Sequence, residues 1–285
     1  MPAAIDPRVT PARPDLAAAE LEGRVEAARY VVGEARQVVA PTAPLSFTAA
    51  ADARLESELL FGERFTVYED KAGWAWGQSA LDGYVGYVPA VTLGPWEGRA
   101  THMVAVPHTH LYPAPAVKTR ARFGLGLGAR LRIVDEADGY SRLQSGDWVY
   151  ARHLAEIDAP EPDWVATALS LTGTPYLWGG RSADGLDCSA LVQLALQRAD
   201  RDCPRDSDQQ AAALGAPVET DDLMTLRRGD LVYWPGHVGI VLGDGRLLHA
   251  NATWMQVVAE PFAHVLGRGG ETDPAAVTAI RRLVE

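Results

Sequence analysis

Trp178-Gly-Gly-Arg-Ser-Ala-Asp-Gly-Leu-Asp-Cys-Ser-Ala-Leu-Val192 decides how the C-terminal half of this chain is read. Gly179, Gly180 and Gly185 make the approach tight and let backbone come close to a ligand. Cys188 then opens a run to Arg198 that lacks Gly and Pro, with Leu191, Val192, Ala195 and Leu196 at helical spacing. Asp184 or Asp187 would cap that helix. A thiol at a helix start meets a partial positive charge and unpaired N–H groups, which favour the thiolate. Taken alone, such a cysteine is better read as a small buried hydrophobe.

Two histidines change that balance. Arg228-Gly-Asp-Leu-Val-Tyr-Trp234 reads as a turn into a buried strand, and His237-Val-Gly-Ile-Val-Leu242 as a second. Gly243-Asp-Gly-Arg246 is a hairpin turn of the Asp-Gly kind, leading into Leu247-Leu-His-Ala-Asn251. His237 therefore starts one strand and His249 lies on its hairpin partner, so the two rings can be neighbours. One imidazole would serve as base and the other as its orienter, and Cys188 would be an activated sulfur nucleophile. A lone strand histidine is more often structural; two on paired strands beside a helix-start cysteine are less easily explained so.

The chain has 285 residues, 47% of them hydrophobic and 22% charged, which predicts about two or more globular domains. Its net charge of −11 argues against a nucleic-acid partner. Two cysteines, Cys188 and Cys203, do not make a disulfide framework. The start, Met1 to Asp6, lacks the basic and apolar segments of a signal peptide, and no apolar run is long enough to span a membrane. The expected compartment is the cytoplasm.

Ahead of the cysteine lies an internal repeat. Val38-Val-Ala-Pro41 recurs as Val104-Ala-Val-Pro107, an offset of 66 that also maps Leu45 onto Leu111, Gly62 onto Gly128, Phe65 onto Leu131, Val67 onto Ile133 and Trp74 onto Tyr140. Each copy alternates apolar and polar residues over short runs separated by turn residues, the pattern of half-buried strands. Two copies of about 60 residues predict two small β-barrels. The first 35 residues read as an arm with a helix from Asp15 to Ala28, on the spacing of Leu16, Ala19, Leu21 and Val25. Ile157-Asp-Ala-Pro-Glu-Pro-Asp163 is a Pro- and acid-rich linker, and Trp164 to Leu171 reads as helical. His108 and His110 form a tempting metal pair without further ligands nearby and are read as a surface strand. Gly124-Leu-Gly-Leu-Gly128 has no context that supports nucleotide binding, and no metal or cofactor is expected.

The repeat resembles bacterial SH3-like domains in its Val-x-x-Pro opening, its Leu59-Leu-Phe-Gly-Glu63 segment and its Asp82-Gly-Tyr-Val-Gly-Tyr-Val88 strand. The region from about residue 164 onward closely resembles the NlpC/P60 cysteine peptidases of bacterial cell-wall metabolism. The matching pieces are Gly173-Thr-Pro-Tyr-Leu-Trp-Gly-Gly180, Asp187-Cys-Ser189, Pro204-Arg-Asp-Ser207 with Gln209-Gln210, Arg228-Gly-Asp-Leu231, His237-Val-Gly-Ile240 and His249-Ala250, in the family order. The two resemblances imply an α+β fold. It would comprise the arm (1–35), two SH3-like barrels (36–97 and 98–158) and a papain-like NlpC/P60 domain (159–285).

The resemblance further implies roles. Cys188 would be the nucleophile, His237 the base and His249 the residue that holds it, with Tyr176 helping the Cys188 N–H to stabilise the oxyanion. SH3-like domains ahead of the peptidase resemble the subgroup of γ-D-glutamyl-L-diamino acid endopeptidases. These act on freed murein peptides (L-Ala-γ-D-Glu-diamino acid) through an unblocked amine. Asp206 and Ser207 match positions that meet this amine; Tyr84 and either Glu58 or Glu63 of the first SH3-like domain would complete the pocket; Asp187 and Ser189 would line the D-Glu subsite. Against these stand blander readings: a polar loop capping a helix for Arg205 to Asp208, and a core aromatic for Tyr84. A wall-degrading endopeptidase or amidase, and a non-catalytic murein-binding protein, are the competing functions. The sequence leaves the oligomeric state and the diamino acid open.

Overall fold

A computed structural model describes residues 5–268 and 273–283. The chain divides into two units, Met1–Ile157 and Asp158–Glu285, with the boundary inside the Pro- and acid-rich linker. The first four residues, on which the reading of the N-terminus partly rested, lie outside the described residues.

In the first unit, alternation builds strands. Arg64–Lys71 turns Phe65 and Val67 inward and joins a five-stranded antiparallel sheet. Its order is Leu93–Pro95, Glu34–Val38, Arg64–Lys71, Trp74–Ser79, Val85–Pro89. With the ribbon of Thr42–Leu45 and Ser57–Leu60, it encloses Val38, Leu45, Leu59, Phe65 and Val88. A second set of strands encloses Val104, Leu111, Leu125, Leu131 and Val149.

The repeat is visible in the backbone. Gly62 N–H donates to Val38 O at 2.8 Å and Gly128 N–H to Val104 O at 3.0 Å. Val38 N–H donates to Glu63 O and Val104 N–H to Ala129 O; Phe61 N–H to Pro41 O and Leu127 N–H to Pro107 O, each pair at the same offset. Both glycines need the left-handed region, with φ of +75° at Gly62 and +89° at Gly128. At Gly62 a Cβ would also fall 1.8 Å from the Arg130 carbonyl. Gly62→Ala is therefore expected to cost at least ~2 kcal/mol, seen as a lowered denaturation midpoint.

The helix expected at Asp15–Ala28 is absent. Leu16–Ala18 is a fully buried strand between Ala12–Arg13 and Tyr30–Val31, followed by a single 3₁₀ turn at Ala19–Leu21. Three consecutive buried residues, with Leu16 packed on Trp76 and Val85, suit an edge-covering strand rather than one helical face. Gly23, at φ +74°, then ends the turn.

The second unit holds a six-stranded sheet with helices on it, and a short two-stranded ribbon of Arg181–Ser182 and Gly185–Leu186. Strand order is Ala216–Pro217, Ala279–Arg282, Asp230–Trp234, His237–Val241, Arg246–Asn251, Gln256–Pro261, and every pairing is antiparallel. The helices are α1 (Trp164–Ser170), α2 (Cys188–Arg198), α3 (Ser207–Ala213) and α4 (Phe262–Gly267). Asp163 caps α1 by accepting from Ala166 N at 3.0 Å. α2 lies against the strands His237–Val241 and Arg246–Asn251 and against α1. It is buried from Cys188 to Gln197. Leu191, Val192, Leu194 and Leu196 each contribute ~1.5–3 kcal/mol by leaving water. That packing fixes where the helix begins, and so where Cys188 sits.

Candidate active site

Asp187 is the N-cap of α2. Its Oδ1 accepts from Ala190 N at 2.9 Å, Ser189 Oγ at 3.1 Å and Arg205 Nη1 at 3.0 Å. Its Oδ2 accepts from Gly179 N at 3.0 Å and Arg205 Nη2 at 2.7 Å. Arg205 is 1% exposed and also donates from Nη1 to Ser189 Oγ at 2.9 Å. One buried ion pair thus ties the glycine approach, the helix start and the Arg205-Asp-Ser segment together. Asp187 and Ser189, expected at a D-Glu subsite, are 7% and 5% exposed and directed into this network.

Cys188 opens the helix, 6% exposed, with Sγ 3.9 Å from the Gly236 carbonyl. His237 follows that glycine, and its Nε2 lies 2.9 Å from His249 Nδ1, as the hairpin pairing implied. His249 is 1% exposed. Sequence reasoning missed its other partners: Nε2 lies 2.8 Å from Glu260 Oε1 and 2.9 Å from Asn251 Nδ2. Glu260 is ion-paired with Arg268, and its Oε2 accepts from Trp254 Nε1 at 3.3 Å.

The helix start does not make a thiolate here, contrary to the expectation. Burial, reinforced by the Asp187 charge, pushes the Cys188 thiol up to about 12, against the opposing pull of Val238 and Ser189 N–H groups and Arg205. Burial, with His249 beside it, pushes His237 down to about 3. His249 is also lowered by burial, against the raising effect of Glu260. At neutral pH the free pair is thiol and neutral imidazole. Burial would raise Glu260, but hydrogen bonds from Arg268, His249 and Trp254 together hold it below the usual carboxylate range.

A cleft of about 740 Å³ opens on the histidines, lined by Tyr176, Trp178, Gly236, His237, Asn251 and Arg268 among others. Tyr176 is anchored by its own N–H to Met255 O at 2.9 Å. Asp206 is the N-cap position of α3 and Ser207 its first residue. Ser207, Asp208, Tyr233 and Gly236 line a neighbouring cavity of about 400 Å³, so the Pro235-Gly236 turn borders both.

In the first unit, Glu63 is 1% exposed and its Oε2 accepts from Leu60 N at 2.9 Å, closing its own turn. Glu58 is 8% exposed, and Tyr84, 2% exposed, belongs to the first strand set's core and stacks on Phe47. His108 and His110 lie exposed on alternate positions of one strand. Cys188 and Cys203 are both buried and not joined in a disulfide. Among the described residues no helix is long and apolar enough to cross a membrane.

The family model "NlpC/P60 family" matches residues 173–265, which contain Cys188, His237 and His249. A "probable endopeptidase" of Corynebacterium glutamicum is 35% identical over 151 residues, 45% of this chain and 70% of that protein. The chain belongs to the NlpC/P60 family. The model "Bacterial dipeptidyl-peptidase Sh3 domain" matches residues 47–93, inside the first strand set. A "gamma-D-glutamyl-L-lysine dipeptidyl-peptidase" of Bacillus subtilis is 26% identical over 226 residues, 70% of this chain and 73% of that one. The crystal structure of an NlpC/P60 family protein from Bacillus cereus has the same fold. Its TM-score is 0.74 at 21% identity, over 88% of this chain and all of that one. This NlpC/P60 peptidase therefore carries an SH3 domain ahead of its peptidase domain.

Proposed function

We propose that this protein is a cysteine endopeptidase that cleaves the γ-D-Glu–diamino acid bond of free murein stem peptides carrying an unblocked N-terminal L-Ala. The observation that supports it most is the buried Cys188 at the start of α2 beside the linked His237–His249 pair. As Cys188 Sγ attacks the amide carbon, its proton passes to His237. The tetrahedral intermediate is stabilised by the Cys188 N–H and Tyr176, and it collapses as His237 returns the proton to the leaving amine. Water, giving its proton to His237, then adds to the thioester; the C–S bond breaks, the acid product leaves, and His237 returns the proton to Cys188 Sγ. Because both partners rest neutral, the proton moves with the attack rather than before it.

Asp206 and Ser207 receive the L-Ala ammonium, since a charge taken from water needs an acidic partner and acceptors. The name of the Bacillus subtilis relative supports this substrate class. Domains follow the repeat: SH3-like barrels at 36–97 and 98–158, the second supported by the backbone hydrogen bonds it shares with the first, then the peptidase at 159–285.

The test compares free L-Ala-γ-D-Glu-L-Lys with its N-acetyl form. Acetylation removes the charge and leaves acceptors unpaired, so kcat/KM is expected to fall ~10²-fold. Equal cleavage of both, or of intact peptidoglycan, would favour the wall-degrading alternative.

A further inference from the structure

The geometry points to Glu260 as a positioning residue that fixes the direction of the proton chain through His249 and His237, and so leaves the base nitrogen of His237 free to accept. This inference rests on the proposed role of His237, but its first test does not depend on activity.

His249 Nε2 has two suitors that demand opposite tautomers. Glu260 Oε1, at 2.8 Å, can only accept, and so requires Nε2 to carry the proton. Asn251 Nδ2, at 2.9 Å, can only donate, and so requires a lone pair there. The Asn251 amide cannot turn over to resolve this, because its Oδ1 accepts from Trp254 N at 2.9 Å. An ionised acceptor makes the stronger bond, and the ion pair with Arg268 keeps Glu260 ionised. Glu260 therefore places the proton on Nε2 of His249.

The rest of the chain follows. With Nε2 protonated, neutral His249 has its lone pair on Nδ1, 2.9 Å from His237 Nε2. His237 must donate from Nε2, and its own lone pair is then on Nδ1, where a base must have it. In the opposite tautomer His249 Nδ1 would donate to His237, and His237 Nδ1 would carry a proton and accept nothing.

Glu260 lies on the strand Gln256–Pro261 and His249 on Arg246–Asn251, where His249 is paired with Val258. Glu260 is thus the diagonal neighbour two residues on. The elements against the His249 strand bring few other charges. His237 comes from the preceding strand, buried Cys188 from the start of α2 and Arg198 from its end, exposed His264 from α4, and Arg268 just beyond it. On its own strand Arg246 is paired with Asp244. Among the described residues, Glu260 is the carboxylate bonded to His249.

The experiment is long-range ¹H–¹⁵N spectroscopy of the histidine rings in the full chain, with His249 assigned by its loss in His249→Asn. The expected wild-type pattern is the Nε2–H tautomer for both His249 and His237. Glu260→Gln has one oxygen for two sets of donors. Arg268 and Trp254 hold the Oε2 side, so the amide NH₂ faces His249 and the tautomers invert. Turnover should then fall ~10²-fold in kcat with KM little changed. The acid limb of the pH profile should move to lower pH, because an anion that favoured the imidazolium is gone. A merely structural role would lower the folded fraction without inverting the tautomer or moving that limb. Glu260→Asp, which keeps the charge, should recover the Nε2–H form. The inference is overturned by a wild-type His249 protonated on Nδ1, which is readable even if Glu260→Gln does not fold. It is also overturned by a folded Glu260→Gln with unchanged kcat and acid limb. Failure of the nucleophile reading would instead appear as an active Cys188→Ala enzyme with the tautomers still as described.

Discussion

Cys188→Ala is expected to lower turnover by ~10⁴-fold or more while the chain stays folded. Both halves follow from the same surroundings. The sulfur, beside the linked histidines, is the proposed nucleophile, and an alanine has no atom that could take its place. The helix start, by contrast, is held by Asp187 and Arg205 rather than by the thiol. Exchanging a buried thiol for a methyl group removes little volume, and the midpoint of thermal unfolding should move by only a few degrees. Cys203 is the control. It is equally buried, at 4% exposed, and its Sγ lies 3.5 Å from the Pro204 carbonyl. Cys203→Ala should keep its activity. Wild-type turnover by Cys188→Ala would remove Cys188 from the mechanism.

The parts of this site that were legible beforehand are those carried by local pattern. Cys188 follows a capping acid at the head of an unbroken helical run, and His237 and His249 flank a hairpin turn whose Asp-Gly pair announces itself. The repeat was legible because a turn requiring positive φ leaves a glycine at Gly62 and again at Gly128. What stayed hidden depends on register or burial. Glu260 sits in Val-Val-Ala-Glu-Pro, one acid among 37 Asp and Glu, and only strand register makes it His249's diagonal neighbour. Arg205 stands in a recognisable segment, but no local pattern says that it is buried on Asp187. The resting state of the thiol was misread because the helix start favours a thiolate only where water or cations can help. Here burial and the Asp187 charge outweigh it. The arm was misread as helix because Leu16, Ala19, Leu21 and Val25 fit a helical face loosely, while packing on Trp76 selected a strand.

Arg205→Met should be the most destabilising single change among the residues around the site, by ~3–5 kcal/mol. The guanidinium is 1% exposed and meets both oxygens of Asp187. Without it, the carboxylate keeps Gly179 N, Ala190 N and the Ser189 hydroxyl but no countercharge in a site closed to water. The penalty therefore belongs mostly to the stranded anion and not to the missing contacts. A double-mutant cycle separates the two. Asp187→Asn keeps an oxygen to cap α2 and removes the charge, so Asp187→Asn with Arg205→Met should be more stable than Arg205→Met alone, measured by chemical denaturation. If the double variant is the less stable, packing of the arginine stem rather than charge governs the site. The same logic reaches the chemistry. Asp187 raises the Cys188 pKa and Arg205 lowers it. Losing the arginine should make the thiol still harder to deprotonate, and alkylation of whatever folded Arg205→Met remains should be slower than in wild type at the same pH. A pair that closes the fold around the helix start thus also sets how far the Cys188 thiol lies from its thiolate form.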